Sequence, residues 1–189
     1  MNDNQLLGLL VTQLNAAVAL AGWTYTPPGS STAKPYPVIQ KQQPNQEGIP
    51  YSPAVFFEKL FDVPYGYAGV SNSFNSQTST LTQTETQNYE TTIQISALVI
   101  QQPSNLLIPT ASDVVNFLKR FMTSRAQLAT WQAQGVNILR PTHVANPYFE
   151  DDRHRNEAYP SFDLVFTHTN SISQPIGYVT TATGVDYPL

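Results

Sequence analysis

Tyr89-Glu90-Thr91-Thr92-Ile93-Gln94-Ile95-Ser96-Ala97-Leu98-Val99-Ile100-Gln101 sets the fold class of this chain. Tyr89, Thr91, Ile93, Ile95, Ala97 and Val99 alternate with Glu90, Thr92, Gln94 and Ser96, the period-two pattern of a strand. From Leu98 to Ile100 the run becomes apolar throughout. Upstream, Pro53 and Pro64 bracket Ala54 to Val63. There Val55, Phe57, Phe61 and Val63 share one face, with Phe56 and Leu60 on the other. Apolar residues on both faces predict a strand covered on both sides, or covered on one side by a neighbouring subunit. Between these strands, Tyr65 to Asn88 is Gly- and Thr-rich and nearly uncharged. It has little means of making a core, and a two-stranded arm or a mobile loop is expected over residues 62–88.

Downstream, Thr110-Ala111-Ser112-Asp113 opens a helix as a capping box, with Val114, Phe117, Leu118, Phe121 and Met122 inward. Lys119 and Arg120 sit near its C-terminal end, where positive charge complements the dipole. Ser124 caps a second, shorter helix anchored by Leu128 and Trp131, with Gly135 as its stop. Val136 to His143 and Ser161 to Thr169 read as strands. The tail, 171–189, is neutral, turn-rich and almost patternless. At the other end, Leu7, Leu10, Leu14, Val18 and Ala21 fall at helical spacing. No Lys or Arg precedes Lys34 and Asp3 is negative, so the basic region of a signal peptide is missing. The segment reads as an amphipathic helix, too short and too polar to span a bilayer. Residues 22–53 are dense in Pro, Gly, Ser and Gln, an extended segment with a short strand at Val38 to Gln42.

The order is helix, strands, two helices, strands. It predicts an α+β fold over residues 1–170, an antiparallel-dominated sheet with helices packed on one face. At 189 residues one domain is expected, and the chain has no cysteine for a disulfide or thiolate metal site. Net charge is −4, and the nine Lys and Arg are scattered. No basic stripe exists to neutralise a row of phosphates, which argues against specific DNA binding. The polar residues are chiefly Gln, Asn, Ser and Thr. Together with 15 prolines and 10 tyrosines, they suit extended contacts between subunits, where a desolvated charge is costly.

One stretch departs from this low charge. Asn146-Pro147-Tyr148-Phe149-Glu150-Asp151-Asp152-Arg153-His154-Arg155-Asn156-Glu157 packs four carboxylates, two guanidiniums and an imidazole between two strands. Such a knot is a salt-bridged loop, an assembly surface or a polar active site. Glu150, Asp151, Asp152 and His154 offer metal ligands, yet Arg153 and Arg155 compete for the same carboxylates and the calcium-loop spacing is absent. Paired carboxylates for glycoside chemistry would come from the knot or from Glu58 with Asp163. No nucleophile elbow, phosphate loop or dinucleotide fingerprint is present. Catalytic, cofactor and metal residues are therefore not assigned. The assembly reading remains: Arg153 and Arg155 make bidentate pairs with Glu150, Asp151 and Asp152, and loop aromatics Tyr65, Tyr67, Tyr148 and Phe149 serve as interface anchors. His143 and His168 read as hydrogen-bonded sheet residues. Phe56, Phe57, Phe61, Phe117, Phe121, Trp131, Phe162 and Phe166 read as core.

A family resemblance rests on several motifs in order. They are Phe57-Glu-Lys-Leu-Phe-Asp62, Tyr65-Gly66, Tyr89 to Ala97, Pro109 to Asp113, Gln134-Gly-Val-Asn-Ile-Leu-Arg140, Asn146 to Arg155, and Ser161-Phe-Asp-Leu-Val-Phe-Thr-His168. Together, over residues 50–170, they resemble the phage neck-terminator domain family, related in role to tail terminators. The resemblance implies a tail-terminator-like fold and no catalysis. It implies a homo-oligomeric, hexameric ring that ends the tail tube at the head-tail junction of the virion, assembled in the host cytoplasm. Its partners would be the tail tube protein, the head-tail connector or neck proteins and the tail sheath, with DNA passing through the axial channel and no membrane involved. Two other readings stay open from the residues alone. One is a virion-surface carbohydrate-binding or hydrolytic module with loop aromatics as sugar platforms. The other is a secreted bacterial domain with a cleaved N-terminal helix.

Overall fold

The computed structural model describes residues 1–41, 53–99, 104–150 and 156–177. In chain order the elements are α1 (Asp3–Ala21), β1 (Thr24–Tyr25), β2 (Lys34–Pro35), β3 (Val38–Gln40), β4 (Ala54–Asn75), β5 (Thr80–Leu98), α2 (Ala111–Met122), α3 (Arg125–Ala133), β6 (Asn137–Pro141), β7 (Tyr148–Glu150), β8 (Asn156–Ala158) and β9 (Ser161–Ile176). The main sheet has five strands in the order β3-β4-β5-β9-β6. Only β3–β4 is parallel; β4–β5, β5–β9 and β6–β9 are antiparallel. The chain adopts the α+β class expected of it.

The core lies between one sheet face and the helices. Val55 and Phe57 of β4, Ile93, Ile95 and Ala97 of β5, and Phe162, Leu164 and Phe166 of β9 present the apolar half of each strand's alternation. Against them pack Leu6, Leu10, Leu14 and Val18 of α1, Val114, Leu118 and Met122 of α2, and Trp131 of α3. Trp131 meets Phe166 at a ring distance of 5.0 Å. Helix starts follow the local chemistry. Asn2 and Gln5 form a capping box for α1, Thr110 and Asp113 one for α2, and the Ser124 side chain accepts from Gln127 N at α3. Gly22 ends α1 in the left-handed conformation at φ 69°. On the far face, Ala54, Phe56 and Leu98 form a small second cluster with Ile39 and Tyr159.

Several expectations change here. At 19 residues α1 is long and apolar enough to cross a bilayer, so length does not exclude it; instead its apolar stripe is buried in the core. The first strand does not stop at Val63 but continues to Asn75, and the second begins at Thr80 instead of Tyr89. Residues 62–88 therefore take the arm form of the two alternatives, paired except at 66–68 and closed by a turn at 76–79. The arm has a third strand, because β9 runs past Thr169 to Ile176. The tail placed at 171–189 thus begins in regular structure, and 178–189 lie outside the described residues. A register shift between Lys59 and Phe61 leaves Leu60 as an extra residue. It turns Phe61 away from the Val55–Phe57 face, so Phe61 is 55% exposed and not core.

Candidate functional site

Beyond the helices, β4, β5 and β9 continue as a three-stranded arm. Its rows are fixed by register: Gly69, Thr86 and Ser171 stand abreast, as do Ser71, Thr84 and Ser173, and Ser73, Thr82 and Pro175. Those rows put Ser71, Ser73, Thr82, Thr84, Ser171 and Ser173 on the face opposite the helices. Hydroxyls cross-link it: Thr84 to Ser173 at 2.9 Å and Thr86 to Ser171 at 3.1 Å. Thr supplies β propensity and Ser–Thr pairs supply cross-strand bonds, which is how strands exposed on both sides hold together. The helix-side face of the same arm carries Val70, Phe74, Leu81 and Ile172. Of these, Val70, Phe74 and Ile172 are 58%, 54% and 68% exposed. Glu85 is the one charged residue across residues 69–75, 80–86 and 171–176, and its row lies on this apolar face.

Between arm and body the ladder breaks. β4 pairs at Tyr65 with Asn88 and resumes at Gly69 with Thr86, so three residues oppose Gln87 alone. Gly66 takes φ 71°, a left-handed conformation that opens the bulge. The Gln87 side-chain amide donates to Tyr65 O at 2.8 Å and closes it. Tyr67 is carried on the bulge fully exposed, and Tyr65 is partly exposed beside it.

A polar cluster ties the arm's root to the body. Lys59 donates to Asp3 of α1 and to Asp62 of its own strand. The buried Thr91 hydroxyl donates to Asp62 Oδ1 at 2.6 Å. Its single hydrogen is then committed, so its 2.9 Å contact with His168 Nε2 has the ring donating. Tyr89 stacks on that ring at 6.0 Å. Burial chiefly holds the His168 pKa below its ordinary value. Burial alone would raise Asp62, but the Lys59 and Thr91 bonds outweigh it and its pKa is lowered. Burial likewise opposes Lys59, yet its bonds to Asp3 and Asp62 raise it. Thr91 is sealed, spends its hydrogen on a carboxylate and accepts from the histidine. It is a strut across β4, β5 and β9.

The residues singled out from sequence fall into two groups. Tyr65 and Tyr67 belong to the arm's bulge. Tyr148, Phe149 and Glu150 form β7, which pairs with β8. That hairpin leaves the opposite end of β9, where Ala145 bridges to Ser161. Ser161 lies level with Ser96, whereas Thr169 lies level with Asn88 beside the bulge. At about 3.4 Å per residue the two groups are roughly 27 Å apart along the sheet. Asp151, Asp152, Arg153 and Arg155, with His154, lie outside the described residues. His168 is the sheet residue expected, but His143 follows β6 and is exposed.

Sequence reading missed Val70, Phe74 and Ile172, and also Leu106 and Leu107, which stand almost fully exposed ahead of α2. The alternation Ser171-Ile172-Ser173-Gln174 is a strand signal, and Pro175 masks it.

No curated protein matches the chain. A family model described as E217 gateway protein gp29 matches residues 5–178, a span that takes in the helices, the sheet and the whole arm. The match names a gateway family where the sequence motifs pointed to neck terminators; the two agree at the level of the head-tail junction. The chain belongs to the E217 gateway protein gp29 family, a phage head-tail gateway family, and is a structural component of the virion at that junction.

Proposed function

We propose that this protein forms a closed hexameric ring that ends the tail tube, joins it to the connector above, and leaves an axial channel for DNA. The observation that carries this is the arm. It projects past the helices with one hydroxyl face free of charge and one face studded with exposed apolar side chains. Serine and threonine facing a channel offer short dipoles and no fixed cation, so a polyanion passes without being held. The apolar face is suited to cover by a neighbouring protein. Tyr67 and Tyr65 supply aromatic anchors at the arm's root, Tyr148, Phe149 and Glu150 supply a second contact at the far end of the sheet, and Asp151, Asp152, Arg153 and Arg155, next in sequence, supply its charge pairs. Two contact regions at opposite ends suit a ring stacked between tube and connector, with the sheath as a further neighbour. Assembly would take place in the host cytoplasm, as for other virion parts. Residues 1–170 act as one domain on this reading.

The test shortens the arm. Residues 70–85 are replaced in the phage genome by a two-residue Asn-Gly turn. The expected result is filled heads and separate tails, with infective titre falling by orders of magnitude. Normal joined virions at full titre would contradict the proposed role.

A further inference from the structure

The arm has two long edges. β3 pairs with β4 only over Val55–Phe57, and β6 pairs with β9 no further along the arm than Thr167. Among the described residues, no strand pairs with the outer edge of β4 over Gly69–Ser73 or with the outer edge of β9 over His168–Ile176. Such edges are normally guarded by charges, prolines or bulges. Gly69-Val70-Ser71-Asn72-Ser73 and Asn170-Ser171-Ile172-Ser173-Gln174 hold no Lys, Arg, Asp, Glu or Pro; Pro175 stands only at the tip of the β9 edge, and the Met1 amino group donates to Thr169 O at its root. Both edges are level with each other across β5, since Gly69 and Ser171 flank Thr86 and Ser71 and Ser173 flank Thr84.

From these edges we infer that the arms of successive copies join by strand pairing, the β9 edge of one copy against the β4 edge of the next. The result is one continuous barrel around the channel. This rests on the ring reading above and adds how the ring is sealed. β4 and β9 are each antiparallel to β5, so they run in the same direction, and the seam is a parallel pair. The contact is head-to-tail, which closes by rotation. The seam register must shift by an even number of residues, or the hydroxyl face of one copy would meet the apolar face of the next; because rows are level within a copy, a strand tilt of about 40° needs a shift of about four residues at each seam.

The dimensions agree. Six copies of a three-stranded arm give roughly 18 strands, the number that leaves an aqueous bore in known barrels. At about 4.8 Å between strands and a tilt of about 40°, they close at about 36 Å across the backbone. Short hydroxyl side chains take about 4 Å from each wall, leaving about 28 Å for a duplex about 20 Å wide. Four copies would close at about 24 Å and leave about 16 Å, too narrow for the duplex.

The absence of native cysteine allows a direct test. Virions carrying Ser73→Cys with Ser171→Cys, or Gly69→Cys with Pro175→Cys, the pairs that a shift of about four residues in either direction brings together, are oxidised and run on non-reducing gels. At least one pair should give a ladder ending at six chains. Each single substitution should give monomer, because equivalent positions in neighbouring arms are roughly 14 Å apart, beyond disulfide reach. If neither double variant assembles, a reconstruction of the unsubstituted neck decides: β9 and the neighbour's β4 should lie about 4.8 Å apart. Monomer alone from both assembled pairs, or arms separated by more than about 10 Å, would overturn the seam while leaving the ring intact. Absence of any ring at the neck would overturn both.

Discussion

Thr91 accepts a 2.9 Å hydrogen bond from His168 Nε2 while donating its own hydrogen to Asp62 at 2.6 Å. One hydroxyl therefore links the three strands that leave the body as the arm, and Lys59 carries the link to Asp3 of α1.

Thr91→Val keeps the size and β-branching of the residue but strands a buried ring N–H and loosens a carboxylate. The expected cost is about 2–3 kcal/mol. Urea unfolding at pH 7.5 measures it; a change below about 0.5 kcal/mol would show that the strut is not structural.

Acid should weaken the fold in two steps. His168 titrates below its ordinary 6.5 in the folded chain. Above 6.5 the ring is neutral in both states and its contribution is complete. As pH falls below 6.5 the unfolded ring takes a proton that the folded ring refuses, so stability drops until the folded value is passed. Asp62, lowered from 3.8, adds a second loss below that value. Lys59, raised from 10.5, loses its contribution only as pH climbs through its folded value. His168→Phe leaves Thr91 on Asp62 and should abolish the first step; an unchanged pH profile would assign that step elsewhere.

Trp131 is fully buried against Phe166. Trp131→Ala should cost about 3–5 kcal/mol through the cavity it leaves. Thermal unfolding reads the loss, and a shift of only a degree or two would place α3 outside the cooperative core.

Tyr67 makes the opposite prediction. Being fully exposed on the bulge, Tyr67→Ala should change folding stability by less than about 0.5 kcal/mol. As an interface anchor its loss should weaken assembly by about 2 kcal/mol, roughly thirtyfold in affinity. Incorporation into virions under competition with the unsubstituted chain separates the two; equal incorporation would remove Tyr67 from the interface.

Gly66→Ala tests the bulge itself. At φ 71° a side chain has room but the backbone does not tolerate it, so about 1–2 kcal/mol is expected. Retained stability would mean that the bulge re-forms without a left-handed residue.

What was legible in the sequence tracks where burial is one-sided. The helices were readable because α2 places Val114, Leu118 and Met122 inward behind the capping box of Thr110 and Asp113. Tyr89 to Leu98 was readable because helices cover only its Ile93–Ile95 face. In the arm that signal fades: both faces meet solvent, and alternation of Thr with Leu, Gln and Glu over residues 80–86 resembles a loop by composition. Pro64, Gly66 and Gly69 add turn signals that the structure spends on a bulge. Leu60 shows the further limit of pattern reading, because one extra residue reverses the face of everything after it, Phe61 and Val63 included. Of the residues proposed for the interface, Tyr65 and Tyr67 gained a defined setting, and Tyr148 to Glu150 gained a strand at the far end of the sheet.

A symmetric reconstruction of the neck of intact virions tests the central claim most directly. The account predicts six copies of this chain in one closed ring, arms pointing inward with Ser71, Thr84 and Ser173 facing the channel. A single copy, an open arc, or a chain located away from the head-tail junction would contradict it.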